Sequence, residues 1–168
     1  MDGFSLDLLM RWAHFLGALV WIGHNYANAV TRPRYLPLTA GDLADPGSPR
    51  QRAILEREHG TFRYASLVTL GTGLAMLWRR NWLVGAVTLQ GSLAPIGIGM
   101  WLGVVMVCNL WFVLWPNQKR VLGFVRAPID ERLRCSRVTF LSARVNTLLS
   151  IPLLFFMAAS AHGGFFAR

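Results

Sequence analysis

Residues 11–28 read RWAHFLGALVWIGHNYAN, and the reading of this stretch decides the fold. It is apolar enough to sit in a bilayer, yet it carries His14, His24, Asn25 and Asn28. At about 100° of rotation per residue, His14, Gly17, Ala18, Trp21, His24, Asn25 and Asn28 fall within an arc of roughly 120°. Phe15, Leu16, Leu19, Val20 and Ile22 lie mostly on the other side and can face lipid. Polar groups are expensive in lipid and turn toward a bundle interior or a cofactor, so this stripe is the first candidate for function.

The composition agrees with a membrane chain. Of 168 residues, 54% are hydrophobic, and the mean hydropathy is +0.39, above what a soluble domain carries. The net charge of +9 does not read as a nucleic-acid surface, because the basic residues lie in the segments between apolar runs rather than in one patch. Cys108 and Cys135 form no C-x-x-C, and no C-x-x-C-H for covalent haem is present. The opening MDGFSLDLLM carries acidic residues where a cleaved signal peptide would be basic.

A span needs about 20 apolar residues, and four are readable, at about 8–29, 60–78, 96–115 and 138–162. The expected fold is therefore an all-α integral membrane four-helix bundle, a single domain over residues 1–168. TRPRYLP, with Pro33 and Pro37, should stop the first span. GDLADPGSPRQR reads as turns, with a helix beginning at ILERE. NWLVGAVTLQGSLAP fits either a short hairpin or the entry to span three. WPNQKR should end that span, Pro128-Ile129-Asp130-Glu131 should start a helix, and Pro152 could kink span four. Gly99-x-x-x-Gly103 and Ala13-x-x-x-Gly17 would let backbones approach closely.

Charge orients the spans. Loops one and three hold Arg32, Arg34, Arg50, Arg52, Arg57, Lys119, Arg120, Arg126, Arg132, Arg134 and Arg137, whereas the other side has Arg11, Arg79, Arg80 and Arg168. The basic loops are then cytoplasmic and both termini outside.

The histidines are the candidate chemistry. His14 and His24 stand about 15 Å apart along one helix. With His162 near the outer side and His59 near the inner, the pairs His14–His162 and His24–His59 would form two levels of axial ligands, as in di-haem b cytochromes. Arg144, about six residues into span four, could hold a haem propionate or a substrate oxyanion, or could snorkel to the interface. Asn109, Ser142, Asn146 and Thr147 are candidates for hydrogen bonds between helices.

RWAHFLGALVWIG, EHGTFRYASLVTLGTG, the WPNQK after span three and SARVNTLLSIPLLFFMAASAH in span four resemble the membrane domain of bacterial membrane-bound urate oxidases (urate hydroxylases). The positions that map are His14, Trp21, Gly23, His59, Trp115, Pro116, Asn117, Gln118, Arg144, Asn146, Pro152 and His162. The resemblance implies a protein of the bacterial inner membrane tied to cytochrome c electron transfer. Long members add a cytochrome c domain, so this chain reads as a short form that would need a separate one.

Three functions follow as expectations. The first is a membrane subunit of a cytochrome-linked redox complex, with b-type haem on His14, His162, His24 and His59 and with Arg144 on a propionate. The second is a membrane oxidase of urate or a related purine passing electrons to a separate cytochrome c. The third is a cofactor-free accessory subunit of a larger membrane complex. All three place the chain in the lipid bilayer among other subunits.

Overall fold

The computed structural model describes residues 3–45, 47–57 and 60–161, whose regular structure is helical with no strand among them. The elements are α1 (Gly3–Thr31), α2 (Ala40–Ala44), α3 (Pro49–Arg57), α4 (Thr61–Arg79) and α5 (Leu83–Val87). A short 3₁₀ turn (Gly91–Leu93) leads into α6 (Ala94–Cys108), a π turn (Asn109–Leu114), α7 (Trp115–Leu122) and α8 (Ile129–Ala161).

Three helical stretches are long and apolar enough to cross a membrane: Phe4–Thr31, Gly91–Leu122 and Ile129–Ala161. Each is at least 28 residues, or more than about 40 Å at the rise of an α-helix, against a hydrocarbon core of about 30 Å. Their outer surfaces are apolar, with Phe15, Leu19, Phe112, Leu148 and Ile151 all exposed. In water that would be an aggregation hazard, whereas against lipid it costs nothing. The fourth long helix, α4, has 19 residues and includes Arg63, Thr69 and Thr72. It packs along α1, while α6 packs on α8, α8 on α1 and α4 on α6.

The stripe on α1 faces inward as its periodicity predicts. Gly17, Trp21 and Asn25 are buried and His14, Ala18, His24 and Asn28 half-buried, while Phe15, Leu16, Leu19 and Val20 are exposed. Ile22 departs from the expectation: it is buried, because it joins Trp21, Phe62, Met106, Leu110 and Leu153 in the main apolar core. Gly17 sets the approach to α4, since a Cβ there would stand 2.6 Å from Thr69 Oγ1 and 3.1 Å from the Ala65 carbonyl. Thr69 cannot easily yield, as its hydroxyl donates to that same carbonyl. Gly99 lies close against the Met157 side chain of α8, where a Cβ would come within 3.0 Å of Cε, whereas one on Gly103 would meet Leu153 at an ordinary 3.6 Å.

Polar clasps complete the packing. Asn109 donates to the Ser142 carbonyl and to Asn146 Oδ1, Ser142 donates to Asn109 Oδ1, and Asn146 donates to the Met106 carbonyl. Thr147 stays out of this network and bonds the Ala143 carbonyl of its own helix. At the opposite end of α1, the Asp7 carboxylate accepts from Arg11 and from Arg80.

Two boundaries differ from expectation. The third long helix does not stop at Trp115 but runs through Pro116 to Leu122. Pro116 falls in the first turn after the π turn, where a missing N–H is tolerated. Asn117 Nδ2 donates to the Val113 carbonyl, and Gly123, in the left-handed region at φ 82°, finally ends the helix. The first loop is also more helical than its turn residues imply. Thr39 and Asp42 form a capping box at α2, and Ser48 Oγ accepts from the Gln51 N–H, so α3 begins at Pro49 rather than at ILERE. NWLVGAVTLQGSLAP becomes a short helical turn, α5, folded onto α6. The expected helix start near Pro128 is found at Ile129, and Pro152 lies inside an unbroken α8.

Two outcomes test these contacts. Gly17→Leu should force α1 from α4 and destabilise the fold by about 1–3 kcal/mol, read as a lowered melting temperature in detergent; unchanged melting would mean that the two helices do not meet at Gly17. In the loop, the Thr39 N–H and hydroxyl and then Arg50 hold the Asp42 carboxyl below its ordinary value of 3.8. A depressed acid stabilises the folded loop above its unfolded value and loses that contribution as pH falls through the folded one. The Thr39 amide resonance should therefore titrate with a midpoint below 3.8, and a midpoint at or above it would exclude the capping box in solution.

Candidate functional site

The last two turns of α1 place His24, Asn25, Asn28 and Thr31 on the wall of a cavity of about 590 Å³. The α1–α2 loop closes it with Arg32, Arg34 and Tyr35; α3 adds Arg50, α4 adds Phe62, α7 adds Gln118, and α8 adds Ser136, Phe140 and Arg144. Among the described residues four arginines line it and no Asp or Glu does, and one of the four, Arg50, is paired with Asp42. The described lining therefore carries more positive than negative charge.

The side chains are held by one another. Asn28 Nδ2 lies 2.8 Å from His24 Nε2; an amide N–H can only donate, so Nε2 accepts and the imidazole proton belongs on Nδ1. The His24 ring stacks on Phe62 with centroids 3.9 Å apart and planes 3° from parallel. Arg144 NH2 donates to the Arg32 carbonyl and lies 3.5 Å from the Asn28 carbonyl, so it caps the negative end of α1. Its guanidinium also sits over the Phe140 ring at 4.6 Å. Arg144 thus points into the protein, against the first loop. Tyr35 and Ser136 share a hydrogen bond of 2.8 Å, and Arg50 donates to the Pro37 carbonyl and to Asp42.

His14 belongs to another place. Its Nδ1 lies 2.8 Å from the Thr69 carbonyl, so Nδ1 carries the proton and Nε2 is the open nitrogen. That is how a ligating histidine is oriented. The ring is packed into the α1–α4 contact, however, where a Cβ on Gly73 would come within 3.0 Å of Cε1. His14 does not line this cavity. Of the two described imidazoles, His24 has the space and His14 the open nitrogen, so the described residues do not frame a haem at one place. His59 and His162, the expected partners, lie outside the described residues. Among the described residues no group of three or more His, Cys, Asp or Glu could hold a metal ion.

His24 and Arg144, predicted as site residues, are thus brought together in one cavity, whereas His14 is separated from them. Arg32, Arg34, Arg50 and Tyr35 were read only as loop or topology residues, and Gln118 only through the family resemblance. The signal that could have found them is the density of arginine just beyond the end of α1. Comparison with known proteins finds no matching family model, no matching characterised protein and no matching solved structure.

Proposed function

We propose that this is an integral membrane protein of four spans, with α4 as the fourth, that binds a small planar organic anion in the cavity below the first loop. The observation that carries this reading is the cavity itself, with four arginines, amide and imidazole groups and no carboxylate among the described residues of its wall. Phe62 and Phe140 make part of the wall aromatic, Arg144 brings its charge to it, and Asn28 and Gln118 add amide groups.

Membrane placement follows from the same charges. Arg132 donates to the Leu43, Arg120 and Val121 carbonyls, so the two basic loops meet at one end of the helices. The positive-inside rule puts that end in the cytoplasm of a bacterial inner membrane and leaves both termini outside. The α4 segment, with its arginines near its two ends, suits a span packed against α1. Urate, a planar anion and the substrate class of the family that the spans resemble, is the first compound to test. In this reading the chain binds and orients the anion, and any electrons it yields pass to a separate cytochrome c.

Detergent-purified protein should bind urate saturably, more weakly as salt rises. Arg144→Gln should lower the affinity at least about tenfold, the worth of one hydrogen bond to a charged group. Absence of saturable binding by urate, xanthine or benzoate up to millimolar concentrations would overturn the proposal. One observation favours a second reading as a haem-linked redox subunit: the Nδ1–H of His14 is already committed to a carbonyl. Its signature would be a b-type reduced-minus-oxidised spectrum that disappears in His14→Ala, and a preparation without haem would sink it.

A further inference from the structure

The four cavity arginines are not equally available. Arg144 donates to the Arg32 carbonyl, lies 3.5 Å from that of Asn28 and sits over the Phe140 ring. Arg50 donates to the Pro37 carbonyl and to the Asp42 carboxylate. Arg32 is also engaged with the protein. Among the described residues, Arg34 is the cavity arginine whose guanidinium has no hydrogen bond, ion pair or ring contact. An anion that took Arg50 would compete with a carboxylate, and one that took Arg144 would share it with two carbonyls. At Arg34 it would displace only water, so a charge-assisted hydrogen bond forms there without a protein contact being lost.

The backbone on either side of Arg34 is nevertheless held. Residues 32–39 form no helix or strand, and side chains of α3 and α8 fasten them at three points. Arg144 takes the Arg32 carbonyl, Tyr35 shares a hydrogen bond of 2.8 Å with Ser136, and Arg50 takes the Pro37 carbonyl at 3.0 Å. The Tyr35 ring also packs on Phe140, with centroids 5.3 Å apart. Pro33 and Pro37 restrict the chain further. Arg34 thus stands between anchors at residues 32 and 35, on a segment that needs little further ordering when a ligand arrives. Arg52 differs: it is exposed on α3 and has no side-chain partner among the described residues, but it does not line the cavity.

We infer that Arg34 is the principal contact for the charged group of the bound anion, presented by a loop that Arg144, Tyr35 and Arg50 hold in place. This rests on the anion-binding reading above. It divides the arginines of one site by role. Arg50 and Arg144 build the loop and add charge, whereas Arg34 meets the ligand.

The test titrates the full chain in detergent with urate and with benzoate, and compares wild type, Arg34→Gln and Arg52→Gln. Arg34→Gln should weaken binding by about tenfold or more. Without ligand it should melt like wild type, since no contact within the protein is lost. Arg52→Gln, which removes the same charge outside the cavity, should stay within about twofold of wild type, because solvent and salt screen it. An Arg34→Gln protein with wild-type affinity would overturn the inference while anion binding stands. Equal weakening by both variants would also overturn it, since that marks a diffuse field and not a contact. A lower ligand-free melting temperature in Arg34→Gln would show the side chain to be structural, with the same consequence. Wild-type protein that binds neither anion would defeat the inference together with the reading beneath it.

Discussion

A helix as apolar as α1 that also carries two imidazoles and two amides can take only one rotation about its axis. Its polar face must find partners within the protein, because lipid offers none. The partners are specific: the Thr69 carbonyl for His14, Phe62 for His24 and the Arg144 fork for the carbonyls of the last turn. Gly17 makes this possible by letting α4 approach until backbone and hydroxyl oxygens touch the α1 surface. Everything else in the site is arranged around a helix whose orientation is set in this way.

The same constraint explains why one end of the molecule is receptive. Where α1 ends, its carbonyls attract arginine, and the loop that follows brings more arginine of its own. Arg144 meets both demands at once, capping the helix and turning a positive face to the cavity. Positive charge so placed is the ground for proposing an anion there.

A second device supplies the far wall. Pro116 would be expected to end the third long helix, but it arrives just after a π turn, where the hydrogen-bonding register has already shifted. The helix continues for another two turns and carries Gln118 and Val121 to the cavity. Arg132 then fastens the end of this helix to α2 by their carbonyls. The roof of the site is held by these hydrogen bonds to backbone together with the Arg50–Asp42 and Arg120–Glu131 ion pairs.

Periodicity and charge by themselves determined that the chain is all-helical, where its four long helices lie, and which face of α1 is polar. Those features are local: a 3.6-residue repeat, an apolar run and a proline or glycine act within a few turns. Turn residues misled at Pro116 and across 41–52 because a π turn, a capping box and a serine cap reassigned the backbone bonds that those residues would otherwise break. Only the tertiary structure separated His14 from His24 as sites, brought Arg144 onto the end of α1 and buried Ile22. These depend on which helix lies beside which, and that is settled by the depth of a glycine groove and the reach of an arginine, which no spacing along the chain records.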